Sequence, residues 1–147
     1  MEEQKLITEL HEYLKSQGML NEKVELVFTD YIQSSFAPEG WAEFNKPTIF
    51  LNKKEVEEHN EVLANVYLHE AGHAVHFFDF RFHWELQLEE HEEKATSLEM
   101  KYNQVTPEYM EEYQELPLEI TANVLGKELF RQLKQTTNFL NGVDEYF

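Results

Sequence analysis

The chain has 147 residues, a length typical of one domain, and its hydrophobic content of 41% is enough to form a buried core. Its 12 lysines and arginines are outnumbered by 29 aspartates and glutamates, so the formal net charge is −17. This acidic excess disfavours binding to nucleic acids or anionic membranes, because both normally require a basic surface. We therefore expect a single domain over residues 1–147 that binds neither.

Cysteine is absent, which excludes disulfides, thiolate metal ligands and cysteine nucleophiles. The first residues, Met1–Lys5, lack the basic start and the apolar run of a signal peptide. No stretch approaches the roughly 20 apolar residues that a membrane-spanning helix needs. These features lead us to expect a soluble, cytoplasmic protein.

The N-terminal third predicts one helix and a small antiparallel sheet. Leucines recur at helical spacing before the first glycine, and β-favouring residues then alternate with polar ones between turn signals. The expected elements are a helix that ends near Gly18, a strand at Val24–Phe28, a hairpin over Ser35–Trp41 that turns at Pro38–Gly40, a turn at Asn45–Pro47, and a strand at Thr48–Leu51.

The sequence after about residue 54 is predicted to be helical, which makes the fold class α+β. Apolar residues recur at helical spacing, and proline after Thr106 is typical of the first turn of a helix. The expected elements are one continuous helix from Glu55 to about Phe78, a charged helix at Glu85–Tyr102, a helix that begins at Thr106–Glu108, and a last helix from Pro117 to about Gln135. The tail at Thr136–Phe147 receives no assignment.

The main chemical motif is His69-Glu70-x-x-His73. The two histidines are four residues apart, so on a helix they lie on one face and can share a zinc ion. Glu70 lies beside them, where its carboxylate can act as general base towards a water molecule instead of binding the metal. The alternative is two surface histidines on an acidic helix, but the flanking residues are apolar, which favours a buried zinc site.

Catalytic zinc usually has three protein ligands, and Glu119 is the best candidate for the third. Glu119, Ala122, Asn123 and Gly126 share one face of the last helix. The small Ala122 and Gly126, together with Gly72 in the histidine helix, would let the two helices approach closely. Asn123 is expected to accept a hydrogen bond from the non-ligating nitrogen of a zinc-bound histidine. Alternatively, Glu119 is an acid that interacts with the dipole of its helix.

Two other residues are alternative third ligands. His76 follows His69 by seven residues, and Asp79 follows it by ten. Three-histidine zinc peptidases place their last ligand at the position of Asp79, but they have glycine where this chain has His76, so the match is poor. The charged surroundings of His83 and His91 predict surface positions for both.

These motifs make the sequence resemble the ImmA/IrrE-type metallopeptidases of bacteria and mobile elements, a group of zincins. The resemblance is carried by His69-Glu70-x-Gly72-His73 and by Glu119-x-x-Ala122-Asn123, and the order of elements is similar over about residues 24–133.

The chain also departs from the family pattern at three points. Phe77 stands where family members often have a histidine, and Asn123 stands where they often have aspartate. The interval of 46 residues between His73 and Glu119 is longer than expected, which indicates an inserted helix around Glu85–Tyr102.

The resemblance implies a zincin-like fold and a zinc peptidase, with His69, His73 and Glu119 as ligands and Glu70 as catalytic base. It also implies a protein or peptide substrate, such as a transcriptional repressor. Thr48–Leu51 would then be the edge strand above the zinc, where an extended substrate could pair with it.

Two other functions share these residues. The chain could be a non-catalytic metal-binding module that binds a basic partner, or a hydrolase that cleaves an amide in a small molecule. A peptidase also needs a second donor for the oxyanion of its transition state. The sequence offers five candidates for this donor: His83, His91, Tyr102, Tyr109 and Tyr113.

Overall fold

The computed structural model describes residues 2–136, which form a mostly helical α+β structure. Six helices and three strands follow one another in this part of the chain. In order they are α1 (Glu2–Ser16), β1 (Glu25–Phe28), β2 (Gly40–Glu43), β3 (Thr48–Leu51), α2 (Lys53–Glu58), α3 (Leu63–Asp79), α4 (Arg81–Tyr102), α5 (Pro107–Gln114) and α6 (Pro117–Thr136). The tail at Thr136–Phe147 received no assignment from the sequence, and beyond Thr136 it lies outside the described residues.

The main core lies between α1, the sheet, α3 and the second half of α6. Leu10 and Leu14 of α1 are almost completely buried there, as the helical spacing of the leucines predicts, and so is Ile7. From α6, Leu129 and Leu133 pack into the same cluster. The core therefore fixes α3 against both the sheet and the last helix.

The expected antiparallel sheet is wrong, because the three strands form a mixed sheet in the order β1-β3-β2. β1 pairs with β3 in parallel, and only β2 and β3 are antiparallel. Thr48–Leu51 is consequently the central strand, not the edge strand that the family resemblance implied. Its residues Thr48, Ile49 and Leu51 are buried, as expected for a strand covered on both sides.

The expected hairpin turn at Pro38–Gly40 is also wrong. The turn that joins paired strands lies at residues 44–47, as predicted from Asn45–Pro47, and it connects β2 to β3. Gly40 begins β2, where a Cβ atom would lie 2.8 Å from the carbonyl oxygen of Phe50. The glycine is therefore needed for close contact with β3, not for a reversal of the chain.

The long helix predicted from Glu55 to Phe78 is divided into α2 and α3. Asn52 caps the start of α2 by accepting a hydrogen bond from the backbone of Glu55, and α2 ends at Glu58 with His59 as its C-cap. Asn60 then adopts a positive φ of 56°, a conformation that asparagine tolerates better than most residues and that interrupts the helix. α3 therefore begins at Leu63.

The later helices agree with the sequence-based expectations. α4 begins at Arg81, four residues before the predicted start, because α3 ends at Asp79 and only Phe80 separates the two helices. Thr106 caps α5, and Pro107 occupies its first position, as predicted. No helix within residues 2–136 is both long enough and apolar enough to cross a membrane.

α3 and α6 pack with their backbones almost in contact. A Cβ atom on Gly72 would lie 2.0 Å from the carbonyl oxygen of Ala122, and one on Gly126 would lie 2.5 Å from that of Leu68. Glycine is thus required on both helices, as the pattern of small residues predicted. This contact places Glu119 and Asn123 of α6 opposite the histidines of α3.

Candidate metal centre

The histidines of α3 and the glutamate of α6 meet around one carboxylate. Nε2 of His69 lies 2.8 Å from Oε1 of Glu119, and Nε2 of His73 lies 3.4 Å from its Oε2. Within residues 2–136 these three side chains are the only group whose ligand atoms lie close enough to hold one metal ion, all within 4.8 Å of one another. The structure thus brings together the three ligands predicted from the sequence.

The environment of His69 favours an additional positive charge. Its Nδ1–H donates to Oδ1 of Asn123 at 2.7 Å, which is the hydrogen bond predicted for that asparagine. Its Nε2 faces Oε1 of Glu119, so both ring nitrogens lie against oxygen acceptors. A neutral imidazole has only one N–H, and an imidazolium or a metal ion at Nε2 resolves the conflict.

The pKa values of His69 and Glu119 reflect the same preference for positive charge. Burial alone would lower the pKa of His69, but its hydrogen bond to Glu119 and the charges of Glu70 and Glu119 raise it to about 9. Burial would raise the pKa of Glu119, but the two histidines hold it well below its usual range. Two imidazoles and one buried carboxylate are also a donor set that zinc accepts. The residues present therefore fit a divalent metal.

Glu70 lies beside this group without belonging to it. It is 92% buried and lines the same cleft as His69, His73 and Glu119. Burial raises the pKa of its carboxyl group, although the two neighbouring histidines counteract part of this effect. A carboxylate with raised proton affinity next to a metal site has the properties of a general base.

Two further side chains complete the surroundings of Glu119. The hydroxyl group of Tyr113 donates to Oε2 of Glu119 at 3.3 Å, and Nε2 of His91 lies 3.6 Å from the same oxygen. Burial is the main reason that the pKa of Tyr113 is raised and the pKa of His91 is lowered. The surface position predicted for His91 is wrong, because only 12% of its side chain is exposed.

A pattern in α4 could have identified His91 as part of the site. Trp84, Leu88, His91 and Ala95 recur at intervals of four, three and four residues and share one face of the helix. Trp84 and Ala95 are the buried residues of α4, and Trp84, Leu88 and His91 line the cleft. The stripe is difficult to recognise in the sequence, because most of the residues between its members are charged.

The alternative third ligands lie elsewhere. His76 is fully buried, and a hydrogen bond of 2.9 Å joins its Nε2 to Nδ1 of the exposed His83, so His83 does lie at the surface. Asp79 is exposed at the end of α3.

The candidate oxyanion donors occupy different places. Tyr102 hydrogen-bonds to Glu112, and the buried Tyr109 stacks on Tyr113. Of the five candidate oxyanion donors, only His91 and Tyr113 line the cleft.

We predict that His76 makes the free energy of unfolding depend on pH. Burial and the charges of His83 and His73 lower its pKa to about 4, whereas an unfolded histidine has a pKa near 6.5. Between these values the unfolded chain binds the proton more readily, so stability falls as the pH drops from 7 to 5. Over this pH range, we expect the free energy of unfolding of His76→Leu to fall by about 1 kcal/mol less than that of the wild type, after allowance for screening by solvent.

Urea denaturation of both proteins at pH 7 and pH 5 measures this difference. The same carboxylates are present in both proteins, so the comparison reports the loss of His76 together with its hydrogen bond to His83. An equal loss of stability in both proteins would contradict the prediction.

The candidate metal centre lies in a cleft of about 630 Å³. It is lined by β2 and the segment before it, by α4 and α5, and by the two histidines with Glu119. Apolar side chains line much of the cleft: Phe36, Trp41, Phe44, Val66, Trp84, Leu88, Met110 and Leu118. β2 pairs only with β3 among the described strands, so its other side forms an edge of the sheet at the cleft.

Comparisons of the chain with models of protein families, with curated proteins and with solved structures find no match. The geometry of the site therefore carries the functional interpretation.

Proposed function

We propose that this protein is a zinc-dependent peptidase, with His69, His73 and Glu119 as metal ligands and Glu70 as general base. The observation that carries this proposal is the meeting of three ligand atoms within 4.8 Å of one another beside a buried carboxylate that is not itself a ligand. Three protein ligands leave one position for water, which is the arrangement of catalytic zinc sites.

Zinc at this centre would act as a Lewis acid, lowering the pKa of a water molecule towards about 7 and polarising the substrate carbonyl group. Asn123 fixes the tautomer and the orientation of His69, because its Oδ1 accepts a hydrogen bond from Nδ1–H and leaves Nε2 to face the centre. Tyr113 holds Oε2 of Glu119 in the same way.

Glu70 performs the proton transfers in this mechanism. Its carboxylate takes a proton from the attacking water as the C–O bond forms, and it then delivers that proton to the amine as the C–N bond breaks. The buried position of Glu70 and its raised pKa favour the first transfer, because a base of higher pKa accepts the proton more readily.

The proposed substrate is an extended peptide segment of a protein. β2 (Gly40–Glu43) presents its edge to the cleft, and an extended peptide can add to such an edge through backbone hydrogen bonds. The apolar walls offer contacts for side chains on both sides of the cleavage point. The edge strand that the family resemblance placed at Thr48–Leu51 is thus replaced by β2.

A non-catalytic metal-binding module is the second candidate, and the position of His91 is the observation that favours it. A fourth protein ligand would close the metal centre, and His91 is the only histidine of α4 near Glu119. His91 nevertheless lies outside the group of three whose ligand atoms are all within reach of one metal. This arrangement supports the open, catalytic form.

Zinc-dependent cleavage of a peptide library tests the function. The protein freed of metal by a chelator is expected to be inactive, and one equivalent of zinc is expected to restore hydrolysis. X-ray absorption at the zinc edge should then show two nitrogens and one carboxylate from the protein, together with water. Binding of zinc by four protein ligands without hydrolysis would favour the metal-binding module.

Replacing Asn123 with alanine is expected to weaken zinc binding by about 10- to 100-fold, because His69 loses the acceptor that fixes its tautomer. Val124→Ala is the matched control, since Val124 is 60% exposed on the same helix. Competition with a chromophoric chelator measures both affinities. Equal affinities for the two variants would exclude a role for Asn123.

A further inference from the structure

His91 occupies a position that the proposed ligand set and Glu70 leave unexplained. It is the polar member of the apolar stripe that α4 presents to the cleft, between Leu88 and Ala95. Its Nδ1 is buried and has no hydrogen-bond partner among residues 2–136. Buried polar groups without partners are rare in folded proteins, so each one calls for an explanation.

The other ring nitrogen of His91 is directed towards the metal centre. Nε2 lies 3.6 Å from Oε2 of Glu119, which is too far for a good hydrogen bond. The hydroxyl group of Tyr113 already donates to this oxygen at 3.3 Å. His91 therefore faces the place where a substrate would meet Glu70 and the ligands, and its N–H is not engaged there.

We propose that His91 is a further catalytic residue, which donates its Nε2–H to the carbonyl oxygen of the bond being cleaved. This inference rests on the peptidase function proposed above. When water adds to the carbonyl carbon, an electron pair moves from the C=O bond onto the oxygen, and a positioned N–H donor stabilises the charge that develops there. The water proton still passes through Glu70 to the amine, and His91 neither gains nor loses a proton.

Besides His91 and the two proposed histidine ligands, Tyr113 also lies near Glu119, but its geometry suits a different role. Its hydroxyl group is hydrogen-bonded to Glu119, so turning towards a substrate would break that bond. His91 has no such bond to lose among the described residues. A donor that is positioned before the substrate arrives requires little reorganisation during the reaction.

Two variants of His91 test the proposal. His91→Phe keeps a planar ring in the cleft wall but has no N–H, whereas His91→Gln keeps an N–H donor. Leu86→Phe is the matched control, because Leu86 is exposed on the same helix outside the cleft. Three quantities are measured: zinc affinity by chelator competition, kinetics on the best peptide from the library, and binding of its phosphinic analogue, whose tetrahedral oxygens mimic the developing oxyanion.

We expect His91→Phe to bind zinc within about threefold of the wild type, because His91 is not a ligand. Its kcat should fall by about 100- to 1000-fold with little change in KM, as on loss of an oxyanion donor. Binding of the phosphinic peptide should weaken by about 100-fold, and His91→Gln should recover part of both losses. Leu86→Phe should match the wild type in all three measurements.

Other outcomes would overturn the proposal in distinguishable ways. A large loss of zinc affinity in His91→Phe would identify His91 as a fourth ligand. If His91→Phe cleaved the peptide and bound the phosphinic analogue like the wild type, His91 would have no catalytic role, while the peptidase function would stand. If wild-type protein bound zinc but cleaved no peptide, the proposed function would fail, and the role of His91 with it.

Discussion

Glu70→Gln is expected to retain zinc and to lose peptide cleavage by a factor of about 100 to 10,000, the usual contribution of a general base. The carboxylate of Glu70 lies beside the candidate metal centre, but it is not one of the three groups that could hold the ion. Glutamine has nearly the same shape, so the buried position should be filled as before. Its amide accepts no proton at neutral pH, and the attacking water then lacks its base.

Zinc titration and library kinetics on the same protein samples measure the two properties separately. Glu58→Gln is the control, because Glu58 is exposed on α2 and lies outside the cleft. Glu119→Gln provides the contrast: it removes a proposed ligand, so zinc affinity and cleavage should fall together. Full cleavage by zinc-loaded Glu70→Gln would show that the mechanism is wrong.

The helix pair at the site could be predicted because its signals are local. His69 and His73 share a helix face through their spacing, and Glu119 and Asn123 do the same on α6. Gly72, Ala122 and Gly126 predicted that these two faces meet, because only small residues permit backbones to approach so closely. The distances between the two helices agree with that expectation.

The order of the strands could not be predicted in the same way. Alternation and turn residues locate strands, but they do not determine which strands become neighbours. β1 pairs with β3, although β2 lies between them in the sequence. A signal for the central position of β3 was nevertheless present. Thr48–Leu51 reads as a continuous run without polar alternation, which is typical of a strand that is buried on both faces.

The break between α2 and α3 and the role of His91 depended on weaker signals. Asn60 is one residue in an otherwise helix-compatible stretch, and only its positive φ shows that the helix stops there. His91 lies among glutamates along the chain, so its surroundings in the sequence indicate solvent. The packing of α4 against α3 and α6 determines instead which narrow face of this charged helix is buried.

Gly72→Ala is expected to destabilise the fold by at least about 3 kcal/mol, at the upper end of the cost of overpacking. The added Cβ would lie 2.0 Å from the carbonyl oxygen of Ala122 and 3.0 Å from the backbone nitrogen of Gly126. These are backbone atoms, so no rotation of a side chain can relieve the clash, and α3 must move away from α6. The higher helix propensity of alanine returns only about 1 kcal/mol.

Gly18→Ala separates this effect from the general consequence of replacing a glycine. A Cβ at Gly18 would meet no neighbouring atom within 4 Å. The loss of stability should therefore come only from its φ of +73°, which alanine tolerates poorly, and should amount to about 1 kcal/mol. Urea denaturation of metal-free protein measures both variants. The two helices also carry the two halves of the candidate metal centre, so folded Gly72→Ala should bind zinc more weakly than Gly18→Ala does. If Gly72→Ala matched the wild type in stability and zinc affinity, α3 and α6 would not be in backbone contact, and the centre between them would lack its structural basis.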